Sequence, residues 1–155
     1  MSVARPDVSK LEDALRALED GTYRTLGVSV GSKKIAKPGL KIVKKHMQLI
    51  PTLFAPPTLP HYGTYTMICL DLDAPFISWN PLGPVAHWIH TNFKISQQHQ
   101  RELQAAEPPI ARLVAAGPPP LAAPHRYVVL LYKQNPDLPI PSNLKAKGST
   151  VTQRT

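Results

Sequence analysis

Two short blocks carry residues able to do chemistry together: Asp71-Leu72-Asp73-Ala74-Pro75 followed by His87-Trp88, and Gly117-Pro118-Pro119-Pro120 followed by His125-Arg126-Tyr127. In each, a turn rich in proline or small residues stands beside a run of β-forming residues, with ionisable groups at the junction. Two carboxylates, two imidazoles and a phenol gathered at strand ends would make a small polar pocket suited to anions. A carboxylate orients a histidine and favours its protonated form, so that the imidazolium and the phenol donate to a phosphate or carboxylate. The same groups suit general acid–base work, because an imidazole titrates near neutral pH. A metal site from His87, His125 and an aspartate is the weakest of the three readings, since no HxH or HxxxH pair fixes two ligands on one element. No metal and no cofactor are expected.

Position sharpens the assignment. Asp71 and Asp73 are two apart, so on a regular strand they share a face. Ala74-Pro75 ends that strand, because proline restricts its neighbour and lacks a ladder donor. His87 and His125 open the next two apolar runs, and Tyr127 points to the same side as His125 once the strand has begun. Gly117, before three prolines, is a corner whose backbone can approach a ligand closely. The predicted catalytic residues are Asp71, His87, His125 and Tyr127. Taken singly, each residue also has an ordinary structural reading: Asp in a turn, His at a strand end, Tyr in a core.

The elements that must hold these groups follow from periodicity. Val8, Leu11, Leu15 and Leu18 share one face of a helix over 7–20, which Asp7 can cap and Gly21 can end. From Tyr23 onward the pattern is β: Leu26, Val28 and Val30 alternate up to a turn at Gly31-Ser32, and Leu40, Ile42 and Val43 form a second short run. Pro51 to Pro60 reads as a proline-rich, non-helical connector. Tyr65–Leu72, Ala86–Phe93 and Tyr127–Gln134 are strands, apolar at nearly every position as in strands buried on both faces. Ser96–Glu107 reads as a surface helix stopped by Pro108-Pro109. The expected organisation is an N-terminal helix over 1–22 packed on a β domain over 23–135, with a basic polar, disordered tail over 136–155.

Composition bounds the rest. A chain of 155 residues is large enough for one domain that buries about two-thirds of its unfolded surface. Its 18 prolines, roughly twice the usual share, fall between apolar runs and read as rigid loops on a β scaffold. The net charge of +8 owes much to Lys33, Lys34, Lys37, Lys41, Lys44 and Lys45, which have no acid between them. Such a run suits phosphates or an anionic membrane surface, but lysines also protect an exposed strand edge. With no aromatic residues interleaved, nucleic acid is not an expected partner. Cys69, the only cysteine, reads as a small core residue. With no apolar signal core and no run of membrane-spanning length, the expectation is a cytoplasmic protein with peripheral membrane contact at most.

In order and spacing, the blocks resemble the phosphatidylethanolamine-binding proteins. Members of that family carry Asp-Pro-Asp-Ala-Pro, then His before an aromatic and apolar run, then a Gly-Pro-Pro-type turn, then His-Arg-Tyr or His-Arg-Phe. This chain has Asp71-Leu72-Asp73-Ala74-Pro75, His87-Trp88-Ile89, Gly117-Pro118-Pro119 and His125-Arg126-Tyr127-Val128, and the resemblance spans residues 20–135. It implies a mainly β fold with a large central sheet, a smaller second sheet and a few peripheral helices. It implies a ligand pocket lined by Asp71, Asp73, Pro75, His87, Gly117, Pro118, His125 and Tyr127, with Arg126 structural.

Departures from the pattern set the functional alternatives. Leu72 replaces the family's proline and Phe76 its serine, the Leu82–Ala86 stretch lacks an acidic residue, and His90 adds a third imidazole. The Lys94–Ala116 loop is long and the C-terminal segment short, so a wider pocket for a different ligand is expected. One reading is a pocket for a small anionic organic ligand: a carboxylate, anhydride or phosphate. The resemblance implies a use for it, since some fungal relatives are implicated in dimerising maleic-anhydride-type units to nonadrides, as a cyclase or a cyclase partner with His, Asp and Tyr as acid–base groups. Another is a non-catalytic phospholipid or anion binder. A third is an interaction protein, in which a protease, a kinase or an enzyme partner meets surface loops. An uncovered pocket rim also suits completion by a second copy, a homodimer.

Overall fold

The computed structural model describes residues 9–20, 25–35, 37–74, 76, 84–120 and 122–140. Helix α1 spans Ser9–Glu19, with Glu12 in its first turn and Arg16 in its last, the arrangement that complements the helix dipole. Asp7 and Gly21, the expected cap and stop, lie outside the described residues. Strands β1 (Gly27–Val30), β2 (Lys33–Ile35) and β3 (Thr52–Phe54) form a small antiparallel sheet in the order β2-β1-β3. Strands β4 (Thr64–Asp71), β5 (Val85–Ile95), β6 (Leu103–Gln104) and β7 (Tyr127–Lys133) form a larger one in the order β6-β5-β4-β7. The protein is thus mainly β, with one large and one small sheet.

The core sits between the sheets, and β4 organises it. Along β4 half-buried and buried residues alternate without a break, and Tyr65, Met67, Cys69 and Asp71 make up the buried row by the period of two. Against the three apolar members pack Trp88, Phe93 and Ile95 from β5, Leu103 from β6, and Leu53 of β3 with the adjacent Ala55. Val28 of β1 adds a partly buried contact. Cys69 belongs to this cluster, and burial, followed by the nearby Asp71 charge, pushes its thiol up to about 11. At the entry to β4, Gly63 lies so close to the Tyr65 ring that a Cβ there would collide with it, while the Tyr65 hydroxyl donates to Pro60 O at 2.8 Å.

Strand β5 carries two irregularities against β4. Tyr65 pairs with Phe93 and Met67 with His90, so Thr91 and Asn92 together face Thr66; Asn92 takes a left-handed φ of 62°. Further on, Cys69 pairs with Trp88 and Leu70 with Ala86, which leaves His87 as the extra residue of a second bulge. Gln134 supports the first bulge: its Oε1 accepts from the Asn92 amide N–H at 2.8 Å and its Nε2 donates to Asn92 Oδ1 at 2.7 Å.

Four expectations change. The 96–107 segment is not a helix. The Ser96 hydroxyl accepts from the amides of Gln98 and His99, Gln100 and Arg101 take positive φ, and Leu103 enters the core from β6. This local capping outcompetes a segment that has no apolar stripe to bury. The connector from Pro51 contains β3, because Leu53 has a core position to fill. Leu40, Ile42 and Val43 form no strand; β1 instead pairs with Lys33–Ile35 through the turn at Gly31, whose φ is +57°. Finally, β7 is not buried on both faces. It pairs only with β4 among the described strands, and Tyr132 and Lys133 are exposed.

Arg101 fastens the connector to the turn before β6. Its side chain donates to the carbonyls of Ala55, Pro56 and Leu59 and meets His61 Nε2. Arg101→Ala should therefore cost about 2 kcal/mol in urea unfolding, from the loss of charge-assisted bonds to carbonyls that become partly stranded. A thiol reagent should label Cys69 only at the rate of unfolding in the native protein, and at once in denaturant.

Candidate functional site

The site is built at the end of β4. Because β4 lies between β5 and β7, its last residue, Asp71, stands opposite Val85 on one side and Tyr127 on the other. Beyond the strand, the Leu72 amide donates to Arg126 O at 3.0 Å, so the segment before β7 stays alongside and brings His125 to Asp71. Asp71 continues the core-facing row, which explains why its carboxylate is only 2% exposed.

A buried carboxylate needs donors. His125 Nδ1 donates to Asp71 Oδ2 at 2.8 Å, and the Asp73 amide donates to Oδ1 at 2.9 Å. His87 approaches from the β5 bulge, its Nε2 3.7 Å from the same Oδ2. Its Nδ1 lies 2.8 Å from Val114 O, and a carbonyl can only accept, so Nδ1 carries the proton. In the neutral ring Nε2 is then a bare acceptor facing a carboxylate; a second proton would turn the 3.7 Å approach into an ion pair.

The remaining polar atoms have no such partners. His125 Nε2 and the Tyr127 hydroxyl are both buried without a hydrogen bond among the described residues. Their rings stack at 6.5 Å and 26°, and His87 meets Tyr127 edge-on at 5.2 Å. Burial, then the charge of Asp71 and the approach of its side chain to the hydroxyl, push Tyr127 well above the usual phenol range, against a smaller lowering from the Gly117 amide. Tyr127 therefore remains a proton donor at any physiological pH.

Asp73, which sequence spacing places beside Asp71, turns elsewhere. Its side chain is equally buried, but Arg126 takes both oxygens. The Arg126 amide donates to Oδ2 at 2.7 Å, Nε to Oδ2 at 3.0 Å and Nη2 to Oδ1 at 2.7 Å. The two aspartates do not share a strand face, because β4 ends at Asp71 and the chain bends through Leu72 and Asp73. Gly117 is exposed, and a Cβ there would meet only Ala115 O at 3.7 Å, so nothing within the chain demands glycine. Pro118 is half-buried, and its carbonyl accepts from Lys44 Nζ at 3.4 Å. Pro75 lies outside the described residues. A cleft of about 570 Å³ opens at the other end of the large sheet, by Thr64, Asn92, Lys94, Gln104 and Glu107, and none of the expected site residues lines it.

The structure thus gathers Asp71, His87, His125 and Tyr127, sets Asp73 on the frame with Arg126, and leaves Gly117 and Pro118 on the neighbouring loop. Sequence reasoning missed the Val114 carbonyl that fixes the His87 tautomer; as a backbone group, it leaves no signature in residue type.

A sequence profile described as phosphatidylethanolamine-binding protein matches residues 25–154. Among solved structures, the chain is similar to a crystal structure of carboxypeptidase Y inhibitor complexed with its cognate proteinase. Identity is 19%, coverage is 84% of this chain and 71% of that one, and the TM-score is 0.65. At that identity the likeness speaks for the fold. No curated protein matches the chain.

The Arg126 guanidinium bonds hold the Asp73 carboxyl below the usual carboxylate range. The unfolded chain, with an ordinary value near ~4, therefore takes up protons first as pH falls. The stability this pair contributes is complete above about pH 4 and lost below it, through the lower native value. Arg126→Leu should cost about 2 kcal/mol near neutral pH, already discounted for the solvent-exposed guanidinium. Its urea-unfolding free energy should converge on that of wild type as pH drops below about 4.

Proposed function

This chain belongs to the phosphatidylethanolamine-binding protein family, and from the arrangement of its side chains we propose that Asp71, His87, His125 and Tyr127 bind a small oxyanion, a carboxylate or phosphate. The observation that carries this reading is His125 Nε2, buried with no hydrogen bond among the described residues, on a ring stacked against that of Tyr127, whose hydroxyl is buried as well. Buried donors left without partners cost free energy, and a ligand oxygen between them recovers it. With His125 doubly protonated, Nδ1 is held by Asp71 while Nε2–H and the Tyr127 O–H both donate to the anion. Asp71 balances the imidazolium charge. Asp73, through Arg126, positions the segment that bears His125. The Gly117 and Pro118 loop forms the rim.

The same dyad gives the site a catalytic use. When His125 is singly protonated, its Nδ1–H still bonds Asp71 at 2.8 Å and Nε2 presents a lone pair. That nitrogen can accept a proton from an acidic C–H of a bound anhydride while the Tyr127 O–H donates a hydrogen bond to the carbonyl oxygen on which the negative charge develops. Dimerisation of maleic-anhydride-type units, which requires deprotonation of a carbon conjugated with the carbonyl through the ring double bond, is the reaction class this arrangement suits.

Titration of phosphate, acetate and maleate, followed by calorimetry and histidine NMR, tests the reading. Tyr127→Phe should weaken binding about tenfold and His125→Gln more, since each removes a bond to a charged ligand. Binding should also be accompanied by proton uptake at pH values where the His125 ring starts neutral. Unchanged affinity in a folded His125→Gln variant would remove the pocket. Turnover of an anhydride-type substrate that persists in both variants would remove the catalytic use alone. Inhibition of a protease that survives both would move the function to the surface loops.

A further inference from the structure

The lysine run of residues 33–45 has a structural counterpart that its sequence alone does not reveal. Lys33 and Lys34 lie on β2, the edge of the small sheet; Lys37 and Lys41 lie in the following loop; Lys44 and Lys45 lie on the 3₁₀ turn Lys44–Met47. All six are exposed. Among them and just beyond stand four large aliphatic side chains that face solvent: Leu40, Val43, Leu49 and Ile50, the last 68% exposed. None belongs to the core cluster. Leu49 sits against the β1–β2 turn, where its Cδ1 would be 3.2 Å from a Cβ on Gly31. The apolar end of the segment is thereby placed beside the β2 lysines.

We propose that this face docks on a bilayer containing anionic lipids. No acidic residue occurs between positions 33 and 50, so the segment presents one sign of charge. Aliphatic side chains able to enter the acyl boundary, bordered by lysines whose long stems reach head-group phosphates, are the composition of an interfacial membrane contact. A protein partner fits less well, because lysine is depleted from the buried centres of such interfaces. Nucleic acid fits less well too, as the segment lacks an aromatic residue for stacking and would gain nothing from its aliphatics. The surface is separate from the Asp71–His125 cluster but tied to its rim. Lys44 Nζ donates to Pro118 O at 3.4 Å, and Gln48 Nε2 donates to Ala116 O at 3.0 Å. Docking on this face would therefore bring the Gly117 loop to the lipid surface.

Co-sedimentation with phosphatidylcholine vesicles, with and without phosphatidylserine, decides the matter. The protein should bind the phosphatidylserine vesicles and not the neutral ones. Lys41→Gln and Lys45→Gln should each weaken binding about fivefold, the worth of one lysine at an anionic surface. Leu49→Ser with Ile50→Ser should weaken it about tenfold or more by removing apolar anchors. His125→Gln should leave it intact. Equal binding to both vesicle types would overturn the proposal. So would full binding by the Leu49/Ile50 variant, which, with matching retention on single-stranded DNA, would mark a general polyanion contact. Loss of binding in a folded His125→Gln variant would assign the lipid contact to the pocket instead.

Discussion

The burial of one charge governs the arrangement of this protein. Asp71 ends the row of inward-facing residues on β4, where the alternation that buries Tyr65, Met67 and Cys69 would otherwise call for another apolar side chain. An ionised carboxylate in that place is tolerated only with donors around it. Two arrive from opposite sides, His125 from the segment before β7 and the Asp73 amide from the bend after β4, while the His87 ring stands 3.7 Å away on the β5 bulge and adds a donor only when doubly protonated. Each element that closes on the end of the large sheet thereby contributes to satisfying a single oxygen pair. The cluster that results is polar, buried and held by its own structural need.

Much of this was legible in the sequence. The three long strands of the large sheet and the helix announced themselves by periodicity, and the residues of the cluster by their types at strand ends. Their convergence follows from register: antiparallel pairing on both flanks of β4 sets Asp71 opposite Val85 and Tyr127. What escaped had a common cause, competition from contacts distant in sequence. A proline-bounded segment became β3 because Leu53 fills the core. A Gln- and Ala-rich segment became β6 with an irregular turn because Arg101 and Leu103 found partners elsewhere. Asp73 was paired with Asp71 by the rule of two, which holds only while a strand continues; a bend at Leu72 turned it to Arg126 instead.

The small sheet carries a different kind of information. Its edge strand is short and bears Lys33 and Lys34, which discourages pairing with another chain. The loop that follows leaves aliphatic side chains outside the core, at some cost in solvation. Ordinary edge protection accounts for the lysines but not for Val43 or Ile50. The bonds from Lys44 and Gln48 to the 116–118 loop further mean that this face and the polar cluster are mechanically continuous.

The two irregularities of β5 have a geometric consequence for the whole large sheet. From Asp71 back to Thr64, β4 is matched by a stretch of β5 from Val85 to Lys94 that is two residues longer. A ribbon whose neighbouring threads differ in length cannot lie flat; it must coil toward the shorter one. The cluster at the end of β4 then owes its place less to the loops around it than to a sheet cut unevenly. The position of His87 is one product of that surplus, and Asn92, at the opposite end, is the other.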